Sequence, residues 1–227
     1  MKKCFLFTIL FIIGTTSFIK AQNVTVVNRD GTSISYRPTE TVGSFKYSDV
    51  KGSPYTSMEF QEATCSDIDE PILVRYDAYK QTLQFKDQDS ILKAISPQSR
   101  YRFDLKDKDN SYIVVNYPDY GLSYGLLLWE NSDGMRLIKK QVVKYDKGRE
   151  SDGSYKMAIP ASFGNVIETF YIQKKENAKL IEIPSQKKKA FKLLGNDFEN
   201  NAKESKLNVK KEEELIKLLK LTFNTPK

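Results

Sequence analysis

Histidine is absent from this sequence, and cysteine occurs only twice in 227 residues. Without histidine the chain cannot build a Ser-His-Asp triad, a Cys-His zinc finger or a His-ligated iron or copper site. A glycine-rich phosphate loop and a Gly-x-Ser-x-Gly nucleophile elbow are also missing. The sequence therefore predicts no catalytic residue, no metal site and no cofactor, and no motif supports an enzymatic activity.

Long apolar runs are scarce, and the run near the start of the chain, Phe5–Ile13, has only nine residues. Nine residues span about half of the ~30 Å hydrocarbon core of a bilayer, which argues against a membrane anchor. The basic pair Lys2-Lys3 precedes the run, and the small residue Ala21 suits the last position before a cleavage site. This order predicts a secretory signal peptide over residues 1–21, cleaved before Gln22. We therefore expect an exported protein, periplasmic or associated with the cell surface.

Cleavage of the signal peptide removes Cys4 and leaves Cys65 as the one cysteine of the mature chain. Cys65 then has no partner for an intramolecular disulfide. Its neighbours Ser66 and Asp67 supply no positive charge that would lower the pKa of the thiol. A thiol at the end of a strand is therefore a better interpretation than a nucleophile.

The positive charge of the chain is concentrated near its C-terminus, and its densest point is Lys187-Lys188-Lys189. The sequence carries a formal charge of +7, which falls to +4 when the three lysines of the signal peptide are removed. Lys187, Lys188 and Lys189 are candidates for contact with an anionic surface, including a peripheral contact with a membrane. A solvated helix face is the simpler alternative. Export and the absence of a helix-turn-helix or RNP motif argue against nucleic acid.

The hydropathy pattern changes at Pro184. Before it, apolar and polar residues alternate with a period of two, as in Ile72–Tyr76, and Asp133-Gly134 is a strong hairpin turn. After it, helical patterns cover Lys187–Leu194, Asn196–Lys206 and Val209–Phe223, with Gly195 ending the first helix and Asn208 capping the third. We predict an α+β protein: a mainly antiparallel β body over residues 22–184 (a sheet, a sandwich or a partial barrel) and a lysine-rich helical module over residues 185–227.

Aromatic residues cluster between Tyr112 and Trp129. Tyr124 shares its strand parity with three leucines, which predicts that it faces the core. Tyr117 and Tyr120 stand beside Pro118 and Gly121, which predicts that both are exposed. Exposed tyrosine and tryptophan side chains bind protein or glycan partners, so Tyr117, Tyr120 and Trp129 are the candidate partner-binding residues. Packing in the core is the competing interpretation.

Acidic residues provide two further candidate sites. The groups Asp67-Ile68-Asp69-Glu70 and Asp107-Lys108-Asp109 lack the spacing and turn glycine of a calcium loop, so we interpret them as turns. Glycoside hydrolysis needs a pair of carboxylates whose separation is set by the fold. The candidates in or near strands are Glu59, Glu62, Glu130 and Glu168.

Two stretches of the chain resemble a pattern that recurs in uncharacterised exported proteins of Bacteroidota. The first comprises Gly52-Ser53-Pro54-Tyr55, Glu59-Phe60, Arg75-Tyr76-Asp77 and Leu83-Gln84-Phe85. The second comprises Lys187-Lys188-Lys189-Ala190-Phe191, Lys206-Leu207 and Glu212-Glu213-Glu214-Leu215-Ile216. The end of the signal peptide, Ala21-Gln22, is similar to signals of the same phylum. This resemblance implies a periplasmic or surface location and no assigned activity.

Three functional hypotheses follow. The first is a non-enzymatic envelope protein that binds a protein or a glycan. The alternative is a hydrolase that acts on envelope polysaccharide through paired carboxylates. The third is an eight-stranded outer-membrane barrel. The basic strand Arg136–Lys144 argues against it, because lysine and arginine are unfavourable in a strand that faces lipid.

Overall fold

The structure is a computed structural model that describes residues 24–27, 33–38, 46–65, 68–86, 92–97, 101–106, 109–151, 157–176 and 178–223. The predicted signal peptide and the cleavage site before Gln22 lie outside these residues. So do Asp67, Asp107 and Lys108 of the two acidic groups.

Strands make up most of the described chain before Pro184, as the period of two predicts. Their bounds are β1 (Val24–Val27), β2 (Ser33–Pro38), β3 (Gln61–Cys65), β4 (Ile68–Asp77), β5 (Thr82–Lys86), β6 (Leu92–Ile95), β7 (Arg102–Leu105), β8 (Ser111–Tyr117), β9 (Gly121–Glu130), β10 (Arg136–Asp146), β11 (Ser162–Gln173) and β12 (Ile181–Glu182). A short 3₁₀ helix, Tyr47–Asp49, precedes β3.

These strands form one antiparallel sheet in the order β1-β2-β6-β5-β4-β3-β7-β8-β9-β10-β11-β12. In β7, Phe103 and Leu105 are buried while Arg102 and Asp104 are exposed, which is the predicted alternation. The hairpin turn predicted at Asp133-Gly134 joins β9 to β10, with a φ of +77° at the glycine. The prediction of an α+β fold with an antiparallel β body is confirmed.

Strands β9 and β10 separate after a short stretch of pairing. The last pair of residues in the β9–β10 ladder is Leu126 and Lys139. After Lys139, the turn between β4 and β5 contacts β10. There the Val143 N–H donates a 3.1 Å hydrogen bond to the Ala78 carbonyl. The sheet therefore curls, and the β4–β5 turn meets β9 and β10 where those two strands diverge.

Three helices follow the sheet: α1 (Lys187–Leu194), α2 (Asn196–Ser205) and α3 (Glu212–Phe223). Gly195 ends α1 as predicted, with a φ of +99°. The predicted start of α3 at Val209 was wrong, because residues 209–211 form a turn. The Asn208 side chain accepts the Lys210 N–H in that turn, and the helix begins at Glu212. None of the described helices is long and apolar enough to cross a membrane.

The apolar residues of the sheet fall into two clusters on its two faces. The larger cluster joins the inner face to all three helices, and α3 contributes Leu215, Leu218 and Leu219, each fully buried. This packing confirms that α3 docks on the rest of the protein. The smaller cluster lies on the opposite face of β8–β11, as the alternation of side chains along those strands requires. It comprises Ile113, Val115, Tyr117, Leu127, Ile138, Tyr171 and Leu180.

Candidate functional site

The three aromatic candidates have different environments. Tyr120 is 56% exposed, as predicted, whereas Tyr117 is 1% exposed and Trp129 is 6% exposed. The prediction that Tyr117 is exposed was wrong, because it shares its strand face with Ile113 and Val115 in the smaller cluster. The prediction that Tyr124 faces the core is confirmed, since its side chain is fully buried.

Trp129 lies in the larger cluster because the register between β9 and β10 shifts. Leu137 pairs with Trp129 and Ile138 pairs with Leu127, so Leu128 is an extra residue on β9. A bulge of this kind turns the following side chain to the other face of the strand. Trp129 is therefore a core residue, and its ring is too buried to contact a partner.

The structure adds a residue that the sequence analysis missed, Lys140 on β10. Its side chain is 2% exposed, and its ammonium lies 2.7 Å from Gln81 Oε1 and 3.2 Å from Ser123 Oγ. The ring centroids of Tyr117 and Tyr120 lie 4.0 Å and 4.6 Å from the same nitrogen. Two aromatic rings and two neutral oxygens thus surround one cation.

No carboxylate forms a salt bridge with Lys140 among the residues that the structure describes. Burial therefore lowers the pKa of the Lys140 ammonium to about 8, since nothing offsets its desolvation with an opposite charge. Gln81 holds its position in the β4–β5 turn with a φ of +57°, a conformation that costs energy in a residue with a side chain. Its hydrogen bond to Lys140 helps to hold that turn against β9 and β10.

A shallow groove of about 430 Å³ opens beside these rings. It is lined by Asn116, Tyr117, Pro118, Gly121, Ala178 and Lys179. We call it the Tyr117 groove. Tyr120 lies on the turn between the lining residues Pro118 and Gly121, and Tyr117 contacts both the groove and the Lys140 ammonium. The site therefore has an exposed ring, a buried ring and a cation beneath both.

The hydroxyl of Tyr117 is buried and has no hydrogen-bond partner among the described residues. Burial also raises the pKa of this phenol well above its usual value. A Cβ atom at Gly125 would stand 2.4 Å from that hydroxyl oxygen and 2.5 Å from Ile138. Glycine at position 125 therefore leaves the space that the Tyr117 hydroxyl and the Ile138 side chain occupy.

A second polar cluster lies on β4 and β5. The buried carboxylate of Asp77 accepts hydrogen bonds from the Tyr47 hydroxyl and from Gln84 Nε2, at 3.0 Å and 3.2 Å. Gln84 Oε1 accepts a 3.0 Å bond from Arg75, whose guanidinium lies 3.5 Å from the Tyr55 ring centroid. Burial raises the pKa of Asp77, although the backbone N–H groups of the following turn oppose this effect. Five residues that are spread over 38 positions of the sequence thus come together in space.

Three of the four acidic candidates for paired-carboxylate chemistry are bound to cations, and the fourth, Glu59, is exposed. Glu62 pairs with Lys106, Glu130 with Arg102 and Arg136, and Glu168 with Lys139. The cations Arg136 and Arg102 lower the pKa of Glu130, which makes this carboxyl a poor general acid. Groups of three or more metal-ligating side chains are absent from the described ranges. Cys65 is buried in the larger cluster, which fits a structural thiol.

Lys187, Lys188 and Lys189 are all exposed on the first turn of α1. Lys187 lies 5.5 Å from the Phe191 ring centroid, so part of its side chain folds over its own helix. The first turn of α1 contains no acidic residue. Contact between these lysines and an anionic surface stays a prediction.

Comparison with known proteins gives no further guidance. No family model matches the sequence, no curated protein is similar to it, and no solved structure matches its fold. The functional conclusion therefore depends on the geometry of the chain itself.

Proposed function

We propose that this protein is an exported, non-enzymatic envelope protein that binds a glycan at the Tyr117 groove. The observation that carries the proposal is the exposed ring of Tyr120 on the turn between Pro118 and Gly121, two residues that line an open groove. Tyr120 is 56% exposed, which makes it the most exposed aromatic ring among the side chains that the structure describes, and an exposed tyrosine offers a flat apolar surface with a polar hydroxyl.

The size and the polar lining of the groove support a site for one or two sugar units. Its volume of about 430 Å³ is within the usual range for small-ligand sites. Asn116 and Lys179 are exposed on its lining and offer hydrogen-bond donors and an acceptor. Tyr120 provides a flat apolar surface next to these polar groups, on which a sugar ring can stack.

Lys140 supports the proposal because it restrains the rings. A cation 4.6 Å from the Tyr120 ring centroid favours one position of that ring before any ligand arrives. Pre-organisation of this kind reduces the entropy lost on binding. The envelope location supports the choice of ligand class, since glycans are abundant there, and it is itself a proposal.

A panel of soluble oligosaccharides tests this function by calorimetry: chito-oligosaccharides, cello-oligosaccharides, oligogalacturonides and a muropeptide. We expect one class to bind and Tyr120→Ala to weaken its binding about tenfold or more. Ile167→Ala is the matched control, because Ile167 is 46% exposed on β11 outside the groove. If Tyr120→Ala and Ile167→Ala bind every sugar equally, the groove is not the glycan site.

Export is tested separately by fractionating cells that express the full chain. We expect the protein in the envelope or the medium, with Gln22 as its first residue by N-terminal sequencing. Recovery of a chain that still begins at Met1 in the cytoplasm would contradict this part of the proposal.

A further inference from the structure

The outer face of β3–β5 carries a second surface that the Tyr117 groove does not use. It comprises Tyr55, Met58, Phe60, Leu73, Arg75 and Lys86, which we call the Arg75 patch. Met58 is 66% exposed and Leu73 is 43% exposed, so large apolar side chains border its cations. Aromatic residues, methionine and arginine are the residue types enriched at protein–protein interfaces.

The Arg75 guanidinium is held in one position. Its carbon lies 3.5 Å from the Tyr55 ring centroid and 4.5 Å from that of Phe60. Nη1 donates to the Met58 carbonyl at 3.2 Å, and Nη2 donates to Gln84 at 3.0 Å. An arginine fixed by stacking and hydrogen bonds loses little side-chain entropy when it binds a partner.

The positive charge of the patch is only partly balanced, by the buried carboxylate of Asp77. Among the residues that the structure describes, neither Arg75 nor Lys86 forms a salt bridge with a carboxylate. Gln84 joins Asp77 to Arg75 through hydrogen bonds, and the Asp77 carboxylate also interacts electrostatically with the guanidinium. The Lys86 ammonium lies 5.2 Å from the Phe60 ring centroid, and the Arg75 guanidinium lies 4.5 Å from it. Two cations of the patch thus contact the same aromatic ring. Each Nη atom makes one hydrogen bond and retains a second N–H for an incoming carboxylate.

We propose that the Arg75 patch is a docking surface for a protein segment that presents a carboxylate flanked by apolar side chains. The carboxylate pairs with Arg75, and the flanking side chains cover Met58 and Leu73. A protein partner is favoured over an acidic sugar because the exposed side chains that border the cations, Met58 and Leu73, are large and apolar. This inference does not depend on glycan binding at the Tyr117 groove.

An array of synthetic nonapeptides tests the proposal. Each peptide has a central glutamate between variable apolar residues, and a matched array has glutamine in its place. We expect some glutamate peptides to bind with a Kd below about 1 mM and their glutamine counterparts to bind about tenfold more weakly. Binding should also weaken at high salt. Equal binding of the two arrays, or no binding to either, would overturn the proposal.

Variants of the protein locate the binding. Arg75→Gln should reduce the affinity for the best peptide about tenfold, and Arg75→Lys should restore only part of it because the planar fork is lost. Met58→Gln should reduce it about threefold without affecting the fold, since the side chain is exposed. Arg102→Gln is the matched control: Arg102 is also on the sheet surface, but it pairs with Asp104 and Glu130.

Two outcomes of the variant series contradict the docking surface. One is unchanged peptide affinity in both Arg75→Gln and Met58→Gln. The other is Arg75-dependent binding of oligogalacturonides with no binding of peptides, which would make the partner an acidic glycan. Tyr120→Ala should leave peptide binding unchanged, so a failure of the Tyr117 groove is distinguishable from a failure of the Arg75 patch.

Discussion

Strand β10 places two neighbouring lysines on opposite faces of the sheet, and the two are stabilised in different ways. Lys139 faces α3, where its ammonium lies 2.5 Å from Glu212 and 3.3 Å from Glu168. Lys140 faces the Tyr117 groove, where two rings, an amide and a hydroxyl surround it. Two carboxylates thus balance the charge of Lys139, and no described carboxylate balances that of Lys140.

This difference separates a face whose lysine has structural contacts from the face on which we propose that a ligand binds. The Lys139 salt bridges connect β10 to the start of α3, and Asn131 donates a 3.3 Å bond to the Phe223 carbonyl at the other end of that helix. Both ends of α3 are therefore attached to the β9–β10 hairpin. The Lys140 face carries a desolvated cation and an unpartnered Tyr117 hydroxyl, which are costly features for a purely structural surface.

The largest expected effect comes from closing the space under Tyr117. We expect Gly125→Ala to lower the free energy of unfolding by about 3 kcal/mol, because the new Cβ would overlap Tyr117 and Ile138. Gly164→Ala is the control, since its Cβ would meet only the Lys144 carbonyl at 3.6 Å, and we expect a change within about 0.5 kcal/mol. Urea denaturation measures both. Equal stability of the two variants would show that the Tyr117 ring moves freely.

The second largest expected effect on stability comes from removing the charge of Lys139. Lys139→Met should lower the free energy of unfolding by about 2 kcal/mol, because Glu212 and Glu168 lose their shared cation in a partly buried site. Lys203→Met removes an exposed pair with Glu199 and should change stability by less than about 0.5 kcal/mol. A double-mutant cycle with Glu212→Gln isolates the pair. A coupling energy near zero in that cycle would contradict the structural role of Lys139.

The third effect is a pH dependence of the free energy of unfolding that comes from Lys140. The pKa of Lys140 is about 8 in the folded protein and higher in the unfolded chain, so the unfolded chain binds more protons above pH 8. The Lys140 ammonium should therefore increase the free energy of unfolding by about 1.5 kcal/mol as the pH rises from 8 to 10. This figure allows for solvent screening.

The matched variant for this measurement is Lys140→Met, which keeps the aliphatic stem and leaves the Ser123–Gln81 hydrogen bond in place. The buried tyrosines lower stability above pH 9 in both proteins, because their raised pKa values keep them protonated when the unfolded chain ionises. The difference between the two pH profiles thus reports Lys140 alone. Parallel profiles would mean that the ammonium is solvated.

The smallest effect is that of Tyr120 on stability. Tyr120→Ala should change the free energy of unfolding by less than about 0.5 kcal/mol, because more than half of its surface is already exposed. It should also raise the pKa of Lys140, since water reaches the ammonium when the ring is removed. Nuclear magnetic resonance titration of the lysine signals measures this shift. A pKa of Lys140 unchanged by the substitution would show that Tyr120 does not shield it.

Local patterns predicted much of the fold. The alternation in β7, the hairpin turn at Asp133-Gly134 and the end of α1 at Gly195 each depend on neighbouring residues, and each was correct. The start of α3 was wrong because the Asn208 side chain caps an isolated turn instead of the helix. Tyr120 was correctly placed in an exposed turn, whereas Tyr117 was misjudged because its position next to Pro118 outweighed its strand parity.

The sequence by itself determined the period of each segment, the change from strands to helices at Pro184 and the concentration of lysines after it. These properties depend on residues that are close along the chain. Only the tertiary structure decided that Lys140 meets Gln81 and Ser123, which stand 59 and 17 residues away, and that a bulge turns Trp129 into the core. Such contacts form when the sheet curls and strands that are distant in sequence meet. A local sequence pattern does not predict which side chains will then be in contact.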